Sequence, residues 1–224
     1  MTAPRILVTG FGPFPGAPFN PTERLVARLV RLRRPALDDV ARIGHVFPVT
    51  YGAIDRELPM LIAAHRPDAL LMFGLASRTP FIRVETRVRN AVTQIWPDAE
   101  HTRIGNRMIA AGADSTRRFG PHTARLLRAA QTTGVDARAS LNAGIYLCNY
   151  LGWRAIEATR APNGPRLAAF IHVPLVPRTT ANPRKGRSTG VTFADLVEAG
   201  EALLMNMAML ARRAARDGRV IDLV

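Results

Sequence analysis

The chain has 224 residues, 47% of them hydrophobic and 21% charged, with a single cysteine, Cys148. Those values belong to a globular protein and exclude a collagen-like or wholly disordered chain. One cysteine also excludes an internal disulfide and a two-cysteine zinc site.

The 31 basic and 17 acidic residues give a net charge of +14. The arginines are spread along the whole chain with no interleaved aromatics and no recognised nucleic-acid module, so the charge does not mark a nucleic-acid surface. The longest apolar stretch, Ala69–Ala76, is far short of the roughly 18–20 residues a membrane-spanning helix needs. Without a cleavage pattern after it, the apolar N-terminal run reads as a strand rather than a signal peptide, and the lone thiol points to the reducing cytoplasm.

In chain order, Arg5–Phe11 is a β-branched apolar run that predicts a buried strand, followed by Gly/Pro loop chemistry to Gly16. A helix is expected from Asn20, a good N-cap, with Pro21 in the first turn and Glu23 three residues on. His45–Tyr51 reads as a strand with an irregularity at Pro48, and Ile54–His65 as a helix disturbed near Pro59. Ala69–Gly74 is the clearest buried strand, and Arg83–Val92 is extended. Ala99–Arg107 reads as loop, Thr123–Thr132 as helix, Val135–Leu141 as strand and Ile145–Thr159 as helix. Leu167–Pro174 is a strand, Pro177–Gly190 a surface loop, and Val191–Arg216 a long final helix. This alternation predicts a single α/β domain over residues 1–224, with a mostly parallel, twisted sheet covered by helices on both faces.

In such a sheet the reactive groups are expected beyond the carboxyl ends of the strands. Cys148 sits where a strand gives way to a helix, and a helix N-terminus favours a thiolate, so a lowered pKa is expected. The bland alternative is a buried small hydrophobe. His172, at the end of an apolar strand, is a candidate general base or a core histidine bonded to backbone. Glu85 is a candidate orienting acid, or a solvated acid between Arg83 and Arg87. His45, His65, His101 and His122 are scattered and form no dense cluster with acids, so no metal site is expected. The glycine segments match neither dinucleotide-binding nor Walker patterns.

Five segments together carry more: VTGFGPFPG and FNPTE near the start, FGLASRT in the middle, NAGIYLCNY around Cys148 and FIHVPLVP around His172. With them the chain resembles the pyroglutamyl peptidase I family of cysteine peptidases. The resemblance implies an α/β/α sandwich, no cofactor, often a homo-oligomer (dimer or tetramer), and removal of N-terminal pyroglutamate from peptides. It implies a Glu–Cys–His triad, here Glu85, Cys148 and His172. It also places Phe11, Phe14 and Tyr146 around the lactam ring and Asn20 in support of the loop. Pyroglutamate is flat and uncharged, and an apolar slot would hold it while rejecting a charged amino terminus, which is costly to desolvate. One departure stands out: Ile95 occupies a position where the family usually carries an arginine. The alternative reading is a catalytically weak or silent binding protein on the same fold.

Overall fold

β1 (Arg5–Phe11) forms at the first uninterrupted apolar run, and six of its seven residues are buried. The structure, a computed structural model, describes residues 3–14, 16–176 and 190–217. The predicted surface loop Pro177–Gly190 lies outside the described residues except for Gly190.

α1 (Pro21–Val30) starts as expected: Asn20 is extended, and its side chain accepts from the Thr22 N–H. β2 (Ala41–Phe47) lies earlier than the sequence suggests. The expected strand to Tyr51 ends at Phe47 because Pro48 lacks an N–H for the ladder and Thr50 caps the next helix, accepting from the Ala53 N–H at 3.2 Å. α2 (Tyr51–His65) therefore begins three residues before the predicted Ile54, and it carries Pro59 internally. β3 (Ala69–Leu75) follows; β4 (Ile82–Glu85) and β5 (Arg87–Arg89) divide the extended segment in two. β6 (Thr116–Arg118) pairs antiparallel with β5, a two-stranded ribbon that the polar sequence does not announce. Then come α3 (His122–Gln131), β7 (Ala137–Ser140), α4 (Leu147–Arg160), β8 (Leu167–Val173) and α5 (Phe193–Asp217).

Six strands form one sheet in the order β2-β1-β3-β8-β4-β7. Every neighbouring pair is parallel except β4 and β8, which run antiparallel. Successive side chains alternate between the faces. Ile6, Val8, Leu71, Phe73 and Ile171 pack with α1, α3 and α5 in one core. Leu7, Leu70, Met72, Ala168 and Phe170 pack with α2 and α4 in the other. Each fully buried Leu, Ile or Phe contributes roughly 1.5–3 kcal/mol. The two layers together fix the carboxyl ends of β3 and β8, where the reactive side chains lie. Among the described residues no helix is long and apolar enough to cross a membrane.

Candidate active site

His172 is the next-to-last residue of β8 and 4% exposed. Its register partner on β3 is Gly74, and its partner on β4 is Arg83. Arg83 and Glu85, two apart on β4, share the face that His172 occupies. Glu85 is fully buried, not the solvated acid its flanking arginines suggest. Its Oε1 lies 2.7 Å from His172 Nδ1 and accepts from Arg83 Nε at 3.0 Å. Oε2 is buried without a well-formed hydrogen bond; the Ser140 hydroxyl is close enough to favour the charged form without closing one. Burial alone would raise the Glu85 carboxyl, but His172, Ser140 and the Arg83 charge outweigh it and hold the group below its ordinary value.

Cys148 is the second residue of α4, at the helix start as expected. The chain turns into that helix through Gly144, whose φ of 81° favours glycine. Arg83 and Arg87 fasten the preceding loop, donating to the carbonyls of Asn142 at 3.1 Å and Leu141 at 2.8 Å. From the other side, buried Asn149 accepts from the Arg89 N–H and donates to the carbonyls of Arg89 and Ala91. The thiol is thereby aimed down onto β3: a Cβ on Gly74 would lie 2.7 Å from Cys148 Sγ and 2.8 Å from Phe170 Cζ. Since Gly74 pairs with His172, sulfur and imidazole stand on the same face of adjacent strands. Among the described residues no hydrogen bond joins them at rest, a looseness common in unliganded sites.

The expected depression of the Cys148 thiol is corrected by this environment. The side chain is half-buried, with its sulfur beside Gly74 in the space a Cβ there would need. Burial pushes the thiol up to about 12, and the negative charge of Glu85 adds to it; Arg83 and the helix-start N–H oppose without prevailing. His172 is lowered, chiefly by burial, although Glu85 pulls the other way. Both directions favour the uncharged forms of the thiol and the imidazole.

Of the other residues picked out by sequence, Phe11, Phe14 and Tyr146 gather on the same layer, while Asn20 caps α1 on the other. Phe11 is 3% exposed and packs with Phe14, Tyr146 and Cys148 in the core that includes α2 and α4. Phe14 is half-buried and bonded through its backbone to Ala17. Tyr146 donates its hydroxyl proton to the Pro97 carbonyl at 2.8 Å and meets Tyr51 edge-on. Asn20 spends both ends on the protein: Nδ2 donates to the Gly12 carbonyl at 3.2 Å and Oδ1 accepts from the Thr22 N–H at 3.1 Å. It supports the glycine loop rather than offering free polar atoms. Ile95 is 72% exposed on a loop tied to the approach to α4 by the Thr93 N–H and the Ile145 carbonyl, 2.8 Å apart. Sequence reasoning missed Arg83, Gly74 and Asn149 as parts of this site. Arg83 alone had a signal, its two-residue spacing from Glu85. Among the described residues no group of three or more His, Cys, Asp or Glu is placed to hold a metal ion.

Comparison with known proteins gives a consistent result. The family model for pyroglutamyl peptidase matches residues 4–206. A pyrrolidone-carboxylate peptidase of Pyrococcus furiosus is 31% identical over 173 residues, covering 77% of this chain and 82% of that protein. One from Vibrio vulnificus is 31% identical over 205 residues, covering 90% and 91%. Among solved structures, a mutant pyrrolidone carboxyl peptidase from P. furiosus superposes with a TM-score of 0.80 at 28% identity, covering 92% of this chain and 98% of that one. The enzyme from Thermococcus litoralis, at 24% identity and a TM-score of 0.81 over 99% of both chains, shares the fold.

Proposed function

This chain belongs to the pyroglutamyl peptidase family, a group of cysteine-type peptidases, and from that membership we propose that it removes an N-terminal pyroglutamyl residue from peptides through Cys148, His172 and Glu85. The observation that carries the reading is the Glu85–His172 contact of 2.7 Å beside a sulfur held over the register partner of that histidine.

Glu85 accepts the Nδ1 proton and fixes the tautomer, leaving Nε2 of His172 free to take the Cys148 proton. The sulfur attacks the carbonyl that joins pyroglutamate to the next residue. N–H groups at the start of α4 stabilise the resulting oxyanion. The C–N bond breaks, the imidazolium protonates the leaving amine, and a pyroglutamyl thioester remains on Cys148. Water, deprotonated by His172, attacks the thioester; the C–S bond breaks and free pyroglutamate leaves with the thiol restored. Phe11, Phe14 and Tyr146 supply the apolar surroundings of an uncharged lactam, and Asn20 holds the Gly12 loop against them. A reducing compartment keeps such a thiol free.

The test is a pyroglutamyl fluorogenic conjugate assayed with wild type and Cys148→Ala. Wild type releases the fluorophore, the variant does not, and both show the same circular dichroism and melting temperature. Release by the variant, or none by wild type, overturns the reading. The exposed Ile95, standing where relatives by resemblance carry arginine, favours one second reading, a weak or silent binder. That reading predicts binding of a pyroglutamyl peptide without turnover.

A further inference from the structure

Arg83 reaches the site from β4, two residues before Glu85 and directly across the ladder from His172. Its Nη2 lies 2.9 Å from Glu85 Oε1, 3.1 Å from the Asn142 carbonyl and 3.1 Å from His172 Nδ1. That nitrogen carries two hydrogens. The Asn142 carbonyl takes one of them, Glu85 Oε1 accepts from Nε at 3.0 Å instead, and the second Nη2 hydrogen lies toward Nδ1. Glu85, ionised and an acceptor only, takes the shorter 2.7 Å contact from a proton on Nδ1, which makes the Nη2 contact to the ring one of charge rather than a hydrogen bond. Arg83 is 23% exposed at its side chain, so its charge lies mostly out of bulk solvent.

We propose that Arg83 is a positioning residue of the reaction. It anchors the Glu85 carboxylate, ties β4 to the loop that delivers Cys148, and sets a fixed charge beside the protonated Nδ1 of His172. The proposal rests on the pyroglutamyl peptidase reading of the site. Among the described residues, the groups that face His172 are Arg83 and Glu85 from β4 and Cys148 from α4, and β3 contributes Gly74 at that register. Burial is the main cause lowering His172, Glu85 raises it, and Arg83 lowers it further. Arg83 also lowers the thiol. Its removal should therefore carry both groups toward higher pKa.

The experiment compares wild type, Arg83→Met and Arg83→Lys. The pH profile of kcat/KM on the fluorogenic conjugate is measured together with the 15N resonances of the His172 ring. In wild type at neutral pH, Nδ1 is protonated and Nε2 bare. Arg83→Met moves the His172 titration and the acid limb of the profile upward, and lowers kcat on the order of tenfold with KM little changed. Arg83→Lys leaves the acid limb in place and recovers part of kcat, since it restores charge without the planar fork. A bare Nδ1 in wild type overturns the proposal, and so does a folded Met variant with an unmoved titration. The wild-type spectrum alone decides the tautomer, so a Met variant that fails to fold leaves the proposal exposed to refutation. The spectra read the Arg83 charge whether or not substrate turns over. Absence of wild-type hydrolysis with the expected spectra therefore removes the assigned reaction and leaves the charge arrangement standing.

Discussion

Gly74 and His172 are paired across the β3–β8 ladder, and the volume a side chain on Gly74 would fill is taken by the Cys148 sulfur. The absence of a Cβ lets a helix-borne thiol descend onto the sheet beside a strand-borne imidazole. Gly74→Ala puts a methyl 2.7 Å from Sγ and 2.8 Å from the Phe170 ring, distances at which one of them must move. The expected outcome is a loss of about 1–3 kcal/mol in urea denaturation and a fall in kcat/KM on the order of a hundredfold. Activity at the wild-type level would show that the sulfur need not sit there.

Glu85→Gln keeps shape and removes charge. Turnover should drop by about 10²–10⁴-fold as the ring loses its charged orienting partner. The same change should lower the Cys148 pKa, because the Glu85 charge pushes it upward. Alkylation of the native protein by iodoacetamide near pH 8 is therefore expected to quicken while hydrolysis collapses. Parallel loss of both reactivities would contradict this account of the thiol.

Asn20→Ala removes an N-cap and a bond to the Gly12 carbonyl together. The cost is about 1–2 kcal/mol, which for a chain of this size lowers Tm by roughly 2–8 °C. Calorimetry measures it directly. kcat/KM should fall modestly, through a loosened glycine loop.

Acid should destabilise the fold before carboxylates titrate. His172 lies below its ordinary value chiefly through burial. So does His122, buried with its ring bonded to the Ala168 carbonyl at 2.8 Å. As pH falls through about 6.5, the unfolded chain takes up protons that these rings refuse in the native state, so stability declines with pH below that point. Urea midpoints between pH 7 and 5 should show the decline, and His122→Gln should flatten its slope. A midpoint constant over that range would refute it.

Much of the fold can be read from apolar runs. β1 and β8 fall almost where the sequence places them because both are central strands buried on both faces. β2 is displaced because it is an edge strand: Arg42, Gly44 and His45 dilute its pattern, while Phe47, Val49 and Tyr51 prolong an apparent alternation past Pro48. β6 pairs three polar residues with the equally polar flanks of Val88, leaving no periodicity to detect. In the site, Cys148 and His172 stand out by position, whereas the burial of Glu85 does not. Arg83 and Arg87 make Glu85 look solvated, and only the antiparallel run of β4 reveals that Arg83 and His172 enclose it.

The shortness of β4 exposes the relay to damage from a distance. Its four residues are aligned by β7 on one side and β8 on the other, and sliding by one position would turn Arg83 and Glu85 into the opposite layer. Val84 and Ile171, partners facing away from the thiol and wholly enclosed, thus act as a latch on that alignment. Trimming either side chain would loosen that alignment without touching Arg83, Glu85 or His172 themselves.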